Sequence, residues 1–461
     1  MDSGSAPRLF AVSRPLAEVP GTDELIGFAN PLNPLVWMRG DRGCVGIGEV
    51  LRLEFEGPDR FADAAAAWRD IAARATIDDP VGLPGAGLVA FGAFAFADSS
   101  SARSALIVPR LIVSRHRGVA WLTEVSTEPL PREPALPGGS DRGSEYAPAG
   151  APAGSWAGVD LSIDAPDPGY LAGVAEATAR IGRGGVEKIV LARRVLGRIR
   201  ASDDLRVPVS RLASRYEDCW TFAVDGMIGA SPETLVRRTE GVVSARVLAG
   251  TRGRKADPAA DVRARDELLA NPKEQHEHAF AVQSVVTALG PHVRELECSE
   301  RPFALELPNV WHLATDLTAV PSRGSSSLEL VEALHPTAAV AGTPTRVAVA
   351  AIAELEPFDR ERYAGAVGWI DAAGDGEWVI ALRCAQLGEA GRGSGARAGA
   401  DAGAGAGAGA DAEAAADTAD TKESRTITAY AGGGILADSD PQREFGETVS
   451  KFRPIAEAFA R

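Results

Sequence analysis

The sequence predicts a large protein that mixes helices and strands, and three observations support this class. Its 461 residues suffice for one large domain or two smaller ones. Hydrophobic residues make up 45% and charged residues 24% of the chain, as is usual for a globular protein. Between residues 160 and 387, strand patterns alternate densely with helix patterns.

Helices are predicted where a capping side chain comes directly before a proline, because proline is well tolerated in the first turn. Such pairs stand at 167–168, 257–258, 271–272 and 440–441. The last of these helices should run to about residue 459. The first should bury one apolar stripe, made of Leu171, Val174, Ala175, Thr178 and Ile181.

Strands are predicted from apolar, β-branched runs between glycine-rich turns. They include 187–200, 378–387 and 425–436, and a tight hairpin is expected at Gly226 and Gly229. Two stretches are too poor in large apolar residues to form a core, a Pro/Gly/Ala-rich connection at 129–158 and a Gly/Ala-rich insertion at about 388–425. We expect both to be disordered. The strands on either side of the insertion should be neighbours in one sheet.

Charge and cysteine content exclude several classes of protein. A net charge of −15 argues against a broad nucleic-acid surface, and a small anionic substrate would need local cations or a metal ion. The four cysteines lie far apart, so neither a disulfide framework nor a thiolate metal site is expected. Without a secretion signal or a long apolar stretch, the sequence favours a cytoplasmic protein that does not enter membranes.

Acidic side chains three residues apart recur on two predicted helices. Glu274 and Glu277 share one face of the helix that begins at Pro272, and Glu444 and Glu447 share one face of the helix that begins at Pro441. Carboxylates from two helices that face a common site could bind Mg²⁺, which prefers oxygen ligands. On the residues alone, solvated acidic faces remain the alternative, because such faces are common in acidic proteins.

Three charged residues lie in otherwise apolar surroundings. Lys188 interrupts an apolar strand, where it either extends to solvent from a sheet edge or is desolvated and able to act as a base. Glu233 follows Pro232, which marks an edge or a bend. Arg383 is a second charge within an apolar strand, where the planar guanidinium could bind a carboxylate.

Together and in this order, the motifs of the chain resemble the chorismate-utilising enzymes. These include isochorismate synthases, salicylate synthases, anthranilate synthase component I and aminodeoxychorismate synthase. The resemblance covers about residues 180–455. It rests on EKIVLARR (187–194), IGASPETL (228–235), LAGTRGR (248–254), NPKEQHEH (271–278), NVWHLATD (309–316), HPTAAVAGTP (335–344), YAGAVGWID (363–371), WVIALRCA (378–385), YAGGGILADSDPQREFGET (430–448) and Lys451.

The resemblance implies a single large α+β domain with mostly antiparallel sheets flanked by helices. Residues 1–158 would be its N-terminal part, ending in the Pro/Gly/Ala-rich connection, and 159–461 its chorismate-binding catalytic region. It implies Mg²⁺ as cofactor, bound by Glu277, Glu444, Glu447 and Glu274, although the family usually has Asp at position 274. Substrate-binding roles would fall to Ala249, Gly250, Thr251, His312, His335, Ala339, Arg383, Gly432, Gly433 and Lys451.

Within the family, the resemblance points to an isochorismate synthase, in which Lys188 is the general base and Glu233 the general acid. Lys188 favours water as nucleophile, and Ala339 stands where amine-transferring members typically carry Thr. Chorismate would be the substrate, with no obligate glutaminase partner. The alternatives are a salicylate synthase, an amine-transferring synthase and a non-catalytic chorismate-binding homologue. The downstream pathway, menaquinone, siderophore or salicylate, and the oligomeric state are left open.

Overall fold

Two large β-sheets dominate the computed structural model, which describes residues 7–131, 155–306, 310–388 and 424–461. The sheets and the helices packed on them form a single domain of the α+β class, as the resemblance predicted. Both sheets contain strands from 1–158 and from 159–461. Most of the predicted connection at 129–158 and nearly all of the insertion at 388–425 lie outside the described residues. None of the helices in the described ranges is long and apolar enough to cross a membrane.

The first sheet has twelve strands in the order β18-β10-β22-β21-β12-β11-β2-β3-β8-β9-β1-β5. Its neighbouring strands are antiparallel, except that β1 and β5 run parallel. The strands are β1 (Phe10–Pro15), β2 (Leu35–Arg39), β3 (Arg42–Ile47), β5 (Thr76–Asp78), β8 (Leu111–His116), β9 (Val119–Ser126), β10 (Lys188–Arg200), β11 (Trp220–Val224), β12 (Met227–Ser231), β18 (Gly342–Thr343), β21 (Cys384–Leu387) and β22 (Ser424–Ile435).

The second sheet has ten strands in the order β15-β17-β14-β13-β20-β19-β6-β7-β4, with β16 also paired to β17. All of these pairs are antiparallel. The strands are β4 (Leu51–Phe55), β6 (Val89–Ala93), β7 (Ser104–Val108), β13 (Thr234–Thr239), β14 (Val242–Gly253), β15 (Val293–Cys298), β16 (Phe303–Glu306), β17 (Val310–Pro321), β19 (Ala366–Asp371) and β20 (Gly376–Ile380).

The helices begin where the capping pairs predict. Asp167, Asp257, Asn271 and Asp440 each cap a helix that opens with proline. The α-helices are α1 (Thr22–Gly27), α2 (Arg60–Arg74), α3 (Pro168–Gly182), α4 (Arg206–Arg215), α5 (Pro258–Ala270), α6 (Pro272–Leu289), α7 (Ser327–Leu334), α8 (Thr345–Leu355) and α9 (Pro441–Phe459), and Gly290–His292 form one 3₁₀ turn.

Two large apolar cores and a small one around Leu268, Trp311 and Leu313 lie among the described residues. The first large core joins the sheets and includes Trp37 and Phe222 of the first sheet and Phe91 and Trp378 of the second. The second large core lies where α1, α4 and α9 pack on the first sheet. The buried stripe of α3 differs from the prediction, because Ala175 is exposed while Gly173 and Ala177 are buried.

The predicted strand at 378–387 is in fact two strands, β20 and β21, which belong to different sheets. The chain crosses between the sheets at 381–383, where Arg383 takes a left-handed conformation with φ 47°. It also crosses between β12 and β13, at the bend that Pro232 predicted. The strands next to the insertion, β21 and β22, pair with one another, as predicted.

Candidate active site

A cavity of about 640 Å³ lies between the start of β10, strands β13 and β14, helix α6 and the segment 333–345. Seven of the residues predicted to bind substrate or metal or to catalyse the reaction line it. They are Lys188, Glu233, Ala249, Gly250, Glu277, His335 and Ala339. The chain therefore brings together motifs that are up to about 150 residues apart in sequence.

Lys188 is the first residue of β10 and does not lie at a sheet edge. Its neighbours are β18 on one side, where it pairs with Thr343, and β22 on the other. The side chain passes over Gly434, since a Cβ there would be only 2.6 Å from Lys188 Cε. Desolvation lowers the pKa of Lys188, and the negative charges of Glu277 and Glu233 oppose that shift. Of the two interpretations of this lysine, desolvation therefore applies.

Glu233 lies at the crossing from β12 to β13. Ile380 ends β20 directly before the crossing at 381–383, and its N–H donates to the Glu233 carbonyl oxygen at 3.1 Å. The two crossings are therefore joined at Glu233. Burial raises the pKa of the Glu233 side chain to about 7, against the positive charges of Lys188 and Arg383. Near neutral pH a large fraction of Glu233 is thus protonated and able to donate a proton.

Two cations share the surroundings of this acid and base. Burial lowers the pKa of Arg383, and in the described ranges no carboxylate forms an ion pair with its guanidinium. Lys451 Nζ donates to the Gly432 carbonyl oxygen at 2.8 Å. Burial and the charge of Arg383 lower the pKa of Lys451 to about 8. A carboxylate ligand would offset this repulsion between cations.

The glycines of β22 allow α9 to approach the strand. A Cβ at Gly433 would lie 3.3 Å from Glu444 Oε2 and 3.5 Å from Lys451 Nζ. A Cβ at Gly432 would lie 2.6 Å from the carbonyl oxygen of Leu191 in β10. A side chain at 434 would therefore displace Lys188, and one at 432 would push against the backbone of β10.

The four acidic residues occupy the predicted helix faces. On α6, burial and the charge of Glu277 raise the pKa of Glu274. On α9, burial raises the pKa of Glu444; a hydrogen bond from Ser439 Oγ at 2.7 Å opposes this shift, and Glu447 reinforces it. Glu447 is more exposed and lies 4.0 Å from Lys451 Nζ.

These carboxylates suit Mg²⁺, which binds one or two carboxylates and completes its shell with water and substrate oxygens. Among the described residues, no group of three or more His, Cys, Asp or Glu side chains is arranged to hold a metal. The donors are nonetheless all oxygens, and each pair carries repulsion that a dication would offset. Glu277 opposes the lowering of the Lys188 pKa, Glu444 and Glu447 oppose that of Lys451, and the charge of Lys188 adds to the lowering of the Lys451 pKa. Each acidic pair therefore has a member that acts on one of the two lysines.

The segment 249–251 forms a β-bulge, which the sequence did not predict. The pairing of β14 with β17 shifts register between Leu248 and Thr251, and Gly250 has φ 86°. His312 Nδ1 lies 3.3 Å from the Gly250 carbonyl oxygen and 2.8 Å from Thr251 Oγ1. Burial lowers the pKa of His312 to about 4, so this side chain is neutral.

His278 also contacts the bulge, through the Ala249 carbonyl oxygen, although sequence reasoning gave it no role. The sequence pattern places it on the same helix face as Glu274 and Glu277, but the contact with the bulge could not be predicted from spacing. His335 lies at the far side of the cavity, where Nε2 donates to the Phe96 carbonyl oxygen at 2.8 Å. Burial lowers the pKa of His335 to about 4.

The fold and the cavity define an enzyme in which a desolvated lysine and a desolvated glutamate lie close to buried cations. Comparison with known proteins gives the family: residues 35–424 match the chorismate binding enzymes, and the chain belongs to that family. It is 36% identical over 303 residues to the isochorismate synthase DhbC of Bacillus subtilis. This match covers 63% of this chain and 67% of DhbC.

A longer match runs to the salicylate biosynthesis isochorismate synthase of Pseudomonas aeruginosa. It is 30% identical over 447 residues and covers 92% of this chain and 84% of that protein. Among solved structures, DhbC of Bacillus anthracis, assigned as a 2,3-dihydroxybenzoate-specific isochorismate synthase, superposes with a TM-score of 0.66. The match has 29% identity and covers 95% of this chain and 98% of that one.

Proposed function

We propose that this chain is an isochorismate synthase that interconverts chorismate and isochorismate with Mg²⁺. One observation carries the proposal: Lys188 and Glu233 line the same cavity, and burial moves each pKa towards its neutral form. Their mutual attraction favours the ion pair instead, but desolvation is the larger effect on both groups. A neutral amine can accept a proton, and a protonated carboxyl group can donate one.

The reaction then needs no covalent intermediate. Neutral Lys188 takes a proton from water as the water oxygen bonds to ring carbon C2. The ring double bonds shift, and the C4–oxygen bond breaks. Glu233 gives its proton to the departing hydroxyl, which leaves as water. One water enters and one leaves, so the net change is an isomerisation, and solvent exchange restores the two protonation states.

Positive groups would hold the two substrate carboxylates. Arg383 and Lys451, with the backbone of the bulge at 249–251, supply the local cations and donors that a protein of net charge −15 otherwise lacks. Glu277 and Glu444 would bind Mg²⁺, with Glu447 and Glu274 beside them. The bound ion would offset the negative charge of the ring carboxylate and polarise it.

Water rather than ammonia is the proposed nucleophile. Lys188 supplies a base for water, and Ala339 leaves a small apolar surface in the cavity. No glutaminase partner is needed, because no ammonia is consumed. The relatives named isochorismate synthase, which include DhbC and the Escherichia coli protein EntC at 39% identity over 291 residues, support this choice.

A salicylate synthase is the second candidate. The relative from Pseudomonas aeruginosa, which matches over most of the chain, is named for salicylate biosynthesis. A salicylate synthase would form isochorismate by the same steps and then eliminate pyruvate.

Product analysis tests the proposal and separates the two candidates. The chain is incubated with chorismate and Mg²⁺, and the mixture is followed by chromatography together with a pyruvate assay. We expect isochorismate in equilibrium with chorismate and no pyruvate. Stoichiometric pyruvate with salicylate would favour the second candidate, and unchanged chorismate would refute both.

A further inference from the structure

We propose that His278 is a positioning residue that ties helix α6, which carries Glu277, to the β-bulge at 249–251. Glu274 provides a second tie between the same two elements. We call this pair of contacts the α6–bulge clamp. The inference rests on the proposed function, because it assigns the clamp the task of holding the metal carboxylate in register with the backbone that binds the substrate carboxylate.

Both ring nitrogens of His278 are engaged. Nδ1 lies 3.0 Å from the Ala249 carbonyl oxygen, and Nε2 lies 2.7 Å from Thr315 Oγ1. A carbonyl oxygen can only accept, so Nδ1 carries the hydrogen. In the neutral ring Nε2 then accepts from the Thr315 hydroxyl. The side chain is 2% exposed, so no water competes for these bonds.

Glu274 contacts the bulge at the adjacent peptide group. The backbone N–H of Thr251 faces its carboxylate and lowers its pKa, against the larger effects of burial and the charge of Glu277. Glu274 Oε2 lies close against Gly250, where a Cβ would be only 2.9 Å away. Residues four apart share one face of a helix. Glu274 and His278 therefore hold the bulge together, one through an N–H and the other through a carbonyl group.

Few buried apolar contacts fix the N-terminal half of α6. Only His278 and Leu289 are buried in its eighteen residues, and Leu289 is the last of them. The apolar side chain of Phe280 is 57% exposed. Because the apolar core does not hold the first three turns, polar contacts do so. The clamp joins them to β14, and Gln275 Nε2 donates to the Leu269 carbonyl oxygen of α5 at 2.9 Å. Movement of α6 away from β14 would carry Glu277 from the cavity and release the Ala249 carbonyl group.

Two isosteric variants separate the tie to the bulge from the tie to Thr315. In His278→Asn, the amide nitrogen can take the place of Nδ1 and keep the bond to the Ala249 carbonyl oxygen. In His278→Gln, it can reach the place of Nε2 beside Thr315 but leaves the Ala249 carbonyl group without a donor. Both variants are polar and neutral, so a general loss of packing should affect them alike.

We expect kcat/KM for chorismate to be about tenfold lower in His278→Gln than in His278→Asn, as for the loss of one buried hydrogen bond. Amide hydrogen exchange at 249–252 in the substrate-free protein should be faster in the Gln variant. The midpoints of thermal unfolding should be similar. Equal kcat/KM and equal exchange in the two variants would overturn the proposal.

A second pair keeps the test decisive if the His278 variants do not fold. Glu274→Gln retains a side-chain oxygen for the Thr251 N–H, whereas Glu274→Ala does not, so exchange at residue 251 should be faster in the Ala variant. Equal exchange would overturn the clamp. Hydrogen exchange needs no substrate. A wild-type protein that fails to convert chorismate would refute the proposed function. The exchange rates would still test the α6–bulge clamp.

Discussion

Helices α6 and α9 carry the same acidic spacing but are anchored in different ways. Each begins with a capped proline and presents two glutamates three residues apart. The face of α9 that contains Glu444 continues into the core through Thr448, Phe452 and Ile455, all of them buried. The corresponding face of α6 reaches the protein mainly through polar contacts of Glu274 and His278.

Arg193 of β10 completes the anchoring of α9. Its guanidinium carbon lies 4.4 Å from the ring centre of Phe445 and 4.7 Å from that of Phe452, and its Nε donates to Thr448 Oγ1 at 2.7 Å. The comparison teaches that two similar acidic motifs can depend on different forces. Packing positions the carboxylate on α9, whereas hydrogen bonds to a backbone bulge position the one on α6.

The largest effect is expected from removing either metal carboxylate. Glu277→Gln and Glu444→Gln should each lower turnover of chorismate by more than about 10³-fold, because a bound metal contributes several kcal/mol to catalysis. Both variants should keep the wild-type circular dichroism spectrum. Full wild-type activity in excess EDTA, or in either variant, would remove Mg²⁺ from the mechanism.

Stability should separate the two helices clearly. Phe452→Ala removes a ring that is 1% exposed and should lower the free energy of unfolding by about 3–5 kcal/mol. Phe280→Ala on α6 removes a ring that is 57% exposed and should change it by less than about 0.5 kcal/mol. Chemical denaturation of both variants measures the difference. Equal losses would contradict the account of how the helices are anchored.

The pH dependence tests the site between the helices. Glu233 acts as an acid only when protonated, and its pKa is about 7 in the free protein. The value of kcat/KM should therefore fall as the pH rises through about 7, by up to tenfold per unit. Lys188 must be neutral, so its lowered pKa sets the acid limb. A flat profile between pH 6 and pH 9 would contradict this assignment.

The smallest effect is expected from the Gly/Ala-rich insertion. Replacing residues 392–422, which lie outside the described ranges, with a short Gly-Ser turn should leave kcat/KM within a factor of a few. The flanking strands β21 and β22 are already paired, and closing a loop costs only about 0.6 kcal/mol per doubling of its length. A collapse of activity would mean that the insertion takes part in the site.

Local sequence patterns were sufficient for the helix starts and for a hairpin at Gly226, because caps and turns depend on adjacent residues. Gly229, which was expected to take part in the turn, lies within β12. The sheet change inside 378–387 could not be read in this way. The sheet to which each half of this segment belongs is determined by the neighbouring strands, which are distant in sequence. In the structure, the left-handed conformation of Arg383 lies at the change of sheet.

The site residues were predicted from family motifs, not from spacing. On spacing alone, a solvated α6 face and an edge position for Lys188 were both reasonable. Burial decides between desolvation and solvent contact, and it is a property of the assembled sheets. The bulge at 249–251 was missed because it depends on the register between β14 and β17.

The most direct test of the central claim is the turnover of chorismate by Lys188→Ala and Glu233→Ala. Each should lose about 10²–10⁴-fold in rate, as is typical when a general base or acid is removed. Binding of substrate, followed by tryptophan fluorescence, should change little, and Lys255→Ala at an exposed position should match the wild type. If Lys188→Ala keeps the wild-type rate with water and chorismate, the proposed acid–base pair is wrong.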